Sequence, residues 1–217
     1  MKNVITIGAA AAIVMLAAAF TPSTTQNTAF SPAVKETSLL KTTEKNVSLS
    51  ESTLKWTGKK VTGQHYGTLK ISDGKLLFDK NTLTGGEFTI DMNTMTVDDL
   101  TDAKSNGMLL GHLKSDDFFS VDKYSSASFK ITKAEQKDKK DKSAYEITGD
   151  LTIKGITNSI SFPAKIYVKK DETVAYANIK VDRTLYGIKY SSGQYFEGLG
   201  DKMIDDLFEL DVRMVAK

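Results

Sequence analysis

The 217-residue sequence contains no cysteine. That excludes disulfides, thiolate nucleophiles and Cys-based metal sites, and it closes the lipoprotein route, which acylates a cysteine behind the leader. Histidine is almost as scarce, with only His65 and His112. A metal centre needs three or four converging ligands, and two histidines far apart in the chain are a thin supply for that geometry. Neither sign of charge dominates either: 29 Lys and Arg nearly cancel 27 Asp and Glu, and the two are interleaved. No global field draws nucleic acid or an anionic surface to the chain. No Gly-x-Ser-x-Gly elbow occurs, and Gly198-Leu199-Gly200 does not open a βαβ unit. The pairs Asp98-Asp99, Asp116-Asp117 and Asp205-Asp206 are adjacent, so their side chains point apart and read as caps and turns. The sequence thus offers no catalytic constellation, and neither a cofactor nor a metal is expected.

Residues 1–20 differ from the rest, with Lys2 ahead of an apolar, Ala-rich run and Ala17-Ala18-Ala19 as a cleavage site. This is the pattern of a secretory signal peptide, and it is too short and too small in its side chains for a membrane span of roughly 20 strongly apolar residues. Residues 21–45 are rich in Thr and Ser, carry Pro22 and Pro32, and read as a flexible leader. A single domain is expected over 46–217.

Within it the apolar residues recur two apart, which is strand periodicity. The longest case is Tyr145 to Val168, where Tyr145, Ile147, Leu151 and Ile153 are followed, across a Lys154-Gly155 reversal, by Ile160, Phe162, Ala164, Ile166 and Val168. A long hairpin with one apolar face is expected there. Leu54 and Trp56 share a strand face, as do Leu69 and Ile71. Asp73-Gly74 then reads as a two-residue hairpin turn into Leu76 and Phe78, and Thr84-Gly85-Gly86 as a turn into Phe88, Ile90 and Met92. His65 falls in an apparent Gly-flanked turn between Gly63 and Gly67. Alternation fails between Val97 and Val121, where the spacing is nearer helical, Asp98 and Asp99 suit a helix start, and one or two short helices are expected. It returns at Phe129 and Ile131, at Ala175 to Val181 and at Phe208 to Met214, while Lys137 to Lys142 reads as a solvated hairpin tip. Pro163, inside a strand, implies a bulge or an edge position.

About eight alternating strands with one short helical insertion predict an all-β domain, either a closed antiparallel barrel or a sandwich. The inward candidates are Leu69, Ile71, Phe88, Ile90, Phe129, Ile131, Ile147, Leu151, Phe162 and Ile166, joined by Ile160, Ile179, Phe208 and Leu210. An eight-stranded barrel either fills its interior with such side chains or holds one small ligand.

Five stretches, taken in order, resemble the YceI-like family of secreted lipid-binding proteins: Leu54-Lys55-Trp56-Thr57-Gly58, Gly67-Thr68-Leu69, His112 to Phe119, Gly149 to Thr157, and Asp182 to Ile188. Each motif alone is weak, and the ordered set spans roughly Val47 to Lys217. The resemblance implies an extended lipocalin-like eight-stranded antiparallel barrel with a helical insertion at about 97–115. It implies a periplasmic or secreted location, no catalysis, and an interior that binds, transports or stores an isoprenoid-type lipid or a quinone. The ten residues from Leu69 to Ile166 named first above become the ligand-binding candidates on this reading, with Arg183, Tyr186 and His112 as candidates for the rim. A homodimer is compatible with it. The competing expectation is a stress-response or interaction protein whose barrel is filled. The sequence departs from the family pattern at Tyr124-Ser125, where Tyr-Pro is usual, and at Phe119-Ser120, where an Asp commonly follows the aromatic.

Overall fold

A computed structural model describes residues 42–217, so the signal-peptide expectation for 1–20 and most of the expected leader lie outside the described residues. Nine strands and one α-helix follow in order: β1 (Thr42–Asn46), β2 (Thr53–Lys60), β3 (Gly63–Asp79), β4 (Thr82–Asp91), α1 (Ala103–Lys114), β5 (Ser126–Gln136), β6 (Ala144–Ile153), β7 (Ile156–Val168), β8 (Thr173–Asp182) and β9 (Leu207–Ala216). Consecutive strands from β2 to β9 pair antiparallel, and β9 pairs back onto β2, so eight strands close a barrel. Closure settles the choice between barrel and sandwich, and β7 and β8 pair only from Ala164 onward, which leaves residues 156–163 of β7 unpaired on that side. Strand β1 starts at Thr42, a few residues ahead of the boundary expected near 46. It lies along Lys75–Asp79 of β3, and its end meets β9 through backbone bonds of 2.9 Å between Asn46 and Lys217.

The hairpin from Tyr145 to Val168 forms as its alternation predicts, with Ile147 opposite Phe162 and Leu151 opposite Asn158. Its two-residue turn, Lys154-Gly155, has positive φ at both positions (51° and 72°), the geometry that matches the twist of the flanking strands. Pro163 lies in β7 opposite Glu146, while pairing with β8 begins only at Ala164. It therefore occupies the edge position that its missing N–H allows.

Three expected turns are corrected. Asp73-Gly74 is not a hairpin: β3 runs unbroken through it for 17 residues. Ser72 is an extra residue against β4, where the register steps from Ile71 to Asp73. Such a bulge shifts the pleat by one, which moves the inward set from Leu69 and Ile71 to Leu76 and Phe78. On the sequence alone that parity change is indistinguishable from a turn. The chain reverses instead at Lys80-Asn81, with Lys80 at φ 56°. Thr84-Gly85-Gly86 is likewise strand, and a second register step between Leu77 and Phe78 changes the parity from Leu83 to Gly86 and Phe88. His65 is in β3 opposite Gly58, because the β2–β3 turn falls at Val61-Thr62.

The helical insertion is one helix, shorter than expected. Asp102, rather than Asp98 or Asp99, caps α1 by accepting from the Ser105 N–H at 2.8 Å. The preceding segment is extended and lies on β3, with Thr96 N–H donating to Thr68 O (3.0 Å) and Asp98 N–H to Tyr66 O (2.8 Å). No described helix is long and apolar enough to cross a membrane.

The barrel interior divides into two apolar clusters. One end holds Leu76, Phe78, Leu83, Tyr145 and Ile147, all nearly inaccessible. The other holds Trp56, Met92, Leu113, Phe118, Val121 and Ile188, contributed partly by α1 and by the segment after β8.

Candidate functional site

Two cavities lie on the barrel axis, one in each cluster. The upper one, about 150 Å³, sits under α1 and is walled by Trp56, Leu69, Met92, Leu113, Phe119 and Phe208 among others. The lower one, about 110 Å³, is walled by Ile71, Phe88, Phe129, Ile147, Phe162 and Ile166 among others. Leu54, Ile90, Leu151 and Leu210 border both, so the cavities meet at a waist made by β2, β4, β6 and β9. Each of those strands alternates, and its inward positions at one height on the barrel supply one waist residue apiece. An apolar cavity of about 150 Å³ stays dry and accepts a six-carbon ring, so this pair has room for roughly two five-carbon units end to end.

Charged side chains line only the upper cavity, where Lys59, Lys60, Arg183 and Asp205 appear with His65, and they border it almost wholly through their carbon atoms. The mouth is bounded by the β2–β3 hairpin and by the segment before β9, which are tied together by Asp205 N–H to Lys59 O (2.9 Å) and Val61 N–H to Met203 O (3.3 Å). Lys59 pairs with Glu209 at 2.8 Å, and that bond holds its pKa above the ordinary lysine value. His65 Nδ1 lies 2.7 Å from Asp99 Oδ2, and the Tyr66 N–H donates to Asp99 Oδ1 at 3.0 Å. Partial burial pushes the Asp99 carboxyl up, but the Tyr66 amide and the His65 ring outweigh it and hold the group below the ordinary value.

The structure brings ten of the sequence's candidates to these cavities. Leu69 lines the upper one, Ile90 and Leu151 stand at the waist, and Ile71, Phe88, Phe129, Ile131, Ile147, Phe162 and Ile166 line the lower one. The three rim candidates fare differently. Arg183 borders the upper cavity, yet all its donors are engaged: Nε with Asp205 O, Nη1 with Ile188 O and Tyr190 O, and Nη2 with Ile204 O and Asp206 Oδ1, at 2.9 to 3.2 Å. A guanidinium has five N–H groups, so none remains for a ligand. Its place is that of a clamp gathering the 188–206 segment. Burial lowers its pKa, and Asp206 acts against that.

Tyr186 borders neither cavity. It is fully buried in the 3-10 turn Arg183–Tyr186, where burial raises its pKa, and the nearby Asn158 amide donates instead to Leu185 O at 3.1 Å. His112 also lies outside both cavities. Its ring meets Phe118 and Tyr190 edge-on at 4.9 and 4.6 Å, and its Nε2 is 3.2 Å from Asp117 Oδ2, so it braces α1 against the 188–206 segment.

The sequence reading missed most of the upper wall. Leu54 and Trp56 carried a legible strand alternation that marked them as inward. Met92 continued the alternation of Phe88 and Ile90, but Met95, Leu109, Leu113 and Phe118 come from aperiodic or helical stretches, and nothing in their spacing shows that they fold over a barrel end.

A family model described as a YceI-like domain matches residues 46–216. Protein YceI of Shigella flexneri is 34% identical over 107 residues, and a UPF0312 protein of Pectobacterium atrosepticum is 31% identical over the same length. Each match covers 49% of this chain and 51% of the relative, so the chain spans about half the length of the relatives it matches. Among solved structures, BcnA of Burkholderia cenocepacia superposes with a TM-score of 0.63 at 20% identity, covering 79% of this chain and 99% of that one. A polyisoprenoid binding domain from Saccharophagus degradans superposes with a TM-score of 0.54 at 12% identity, covering 80% and 97%. At such identities the likeness is one of fold.

Proposed function

The chain belongs to the YceI-like family, and from that premise we propose that its barrel binds a long-chain amphiphile of the isoprenoid type, without catalysis, to carry or store it. The observation that carries this reading is the pair of apolar cavities joined at the Leu54, Ile90, Leu151 and Leu210 waist, with charged residues among the lining of the upper one alone. That arrangement suits an apolar chain with its headgroup at the mouth. Each buried CH₂ contributes about 0.8 kcal/mol, so a dry tunnel binds a tail firmly without any polar anchor along its length. The solved polyisoprenoid binding domain of the same fold supports the choice of chain. The apolar segment 1–20 supports an exported location, periplasmic or secreted, for the domain. A quinone headgroup on such a chain belongs to the same proposal.

The test is extraction. Protein purified from its native envelope is denatured, extracted with organic solvent and read by mass spectrometry, and a near-stoichiometric apolar compound is expected. Clean extracts from repeated native preparations would refute the reading.

A further inference from the structure

The two ends of the barrel differ in what they show to solvent. In an antiparallel meander every second connection falls at the same end, so the β2–β3, β4–β5, β6–β7 and β8–β9 connections share the end covered by α1. The turns of the opposite end are polar: Lys80-Asn81, the charged run Lys137–Lys142 and Lys169–Glu172. Of the fourteen large apolar side chains exposed among the described residues, ten belong to the α1 end. The rest are Leu49 at the opposite end and Tyr66, Tyr167 and Tyr176 on the strands. Single exposed apolar residues are ordinary, but their gathering on one face marks a surface that meets something apolar.

Five of the ten adjoin one another. Val61 N–H donates to Met203 O (3.3 Å), Met203 packs over Gly193, and the Tyr195 and Phe196 amides both donate to Ser192 O. Tyr190 meets the His112 ring of α1 at 4.6 Å. The patch is continuous with the upper cavity, because Lys60 and Ile204, the chain neighbours of Val61 and Met203, line it. Its charges balance: exposed Lys60, Lys189 and Lys202 stand against Glu197, Asp201 and Asp205, and the Lys189 ammonium lies 4.4 Å from the centre of the Tyr195 ring. Tyrosine, phenylalanine and lysine are side chains that settle at the boundary between lipid headgroups and acyl chains. With no surplus of positive charge, the attraction is to the apolar part of that boundary rather than to anionic headgroups.

We propose that this patch docks the protein on the surface of a neutral lipid bilayer, with Val61, Tyr195, Phe196 and Met203 set among the headgroups, so that an amphiphile passes between the bilayer and the upper cavity without crossing water. This rests on the proposed binding of an isoprenoid chain in the barrel and deepens it by naming the surface the chain is exchanged with.

Flotation with phosphatidylcholine vesicles measures the docking, and the wild type is expected to float with them. Val61→Ser/Phe196→Ser removes two side chains that are more than half exposed (56% and 51%), and should lower the partition coefficient about 30-fold. The separate change Tyr195→Ser should lower it about 5-fold. Leu49→Ser, at the opposite end, should leave it unchanged, and raising the salt from about 0.1 to about 0.5 M should alter it by less than about 2-fold. Melting curves check that each variant is folded. Farnesol in vesicle-free buffer, followed by the fluorescence of Trp56, the sole tryptophan and part of the upper wall, should bind wild type and double variant alike, since neither changed side chain lines a cavity. A wild type that stays off neutral vesicles, binding that needs phosphatidylglycerol and vanishes in salt, or a folded double variant that floats like the wild type overturns the docking surface. So does a wild type that ignores vesicles but dimerises through these residues, which would give the face to a second copy. Free farnesol failing to bind the wild type overturns the tail-binding reading, and with it the passage of a lipid, while flotation still reads the surface by itself.

Discussion

Leu210→Trp at the waist separates a tunnel from two unrelated voids. Leu210 pairs with Trp56 on one side and Ile179 on the other, and it borders both cavities. A bulkier side chain there closes the passage from the upper cavity to the lower one. The lower cavity, at about 110 Å³, has room for roughly four carbons on the scale of a 150 Å³ void that takes a six-carbon ring. At about 0.8 kcal/mol per CH₂ those carbons contribute about 3 kcal/mol, on the order of 100-fold in affinity. In the wild type, lengthening a prenyl alcohol from one isoprene unit to two should strengthen binding by up to that factor as the tail enters the lower cavity. In Leu210→Trp the longer chain should gain almost nothing, while the shortest chain binds as before. Isothermal titration across the series reads the slope of affinity against length, and a melting curve separates blockage from overpacking, which costs about 1 to 3 kcal/mol of stability. An identical slope in wild type and variant would refute the idea that the chain passes the waist.

Three further outcomes test the framework around the site. Gly67→Ala places a methyl group against the Thr96 carbonyl oxygen, which also accepts from Trp56 Nε1 at 3.0 Å, so the 95–99 segment must lift off β3. A loss of about 2 to 3 kcal/mol is expected, seen as a Tm lower by roughly 5 to 10 °C. Arg183→Leu strips five hydrogen bonds from buried carbonyls and from Asp206, and should cost about 3 to 5 kcal/mol in denaturant melts; no loss would show that the clamp is dispensable. Asp99 has a folded pKa below its unfolded value, so its contribution is complete at pH values above the unfolded carboxylate pKa of about 4 and is lost as pH falls through the folded pKa. Acid unfolding of Asp99→Asn should therefore be shallower than wild type in that acid range, and superimposable curves would contradict the pairing.

The inward faces of the long strands were legible because alternation is a local property. Ile147, Leu151, Phe162 and Ile166 share a face in any register that keeps the Lys154-Gly155 turn, and the structure finds them on it. The rim was not legible. Arg183 and Tyr186 stand in a recognisable motif, but whether a side chain faces a ligand or ties a loop depends on what returns to meet it. Here Asp205, Asp206 and Ile204 return from 21 to 23 residues away. The pairing of His65 with Asp99 was not legible for the same reason, since the two are 34 residues apart and meet only because the segment carrying Asp99 lies along β3.

By itself the sequence determined the class of fold, the long β6–β7 hairpin and most of the apolar wall, because a period of two and a turn dipeptide act between near neighbours. It also removed thiol chemistry through composition alone. Only the tertiary structure decided where β3 and β4 slip register, since a bulge and a turn both appear as a change of parity until the partner strand is present. It likewise decided that the interior holds two cavities meeting at a waist. Whether a barrel is full depends on how the inward side chains from every strand pack at the same height, and that is a property of closure.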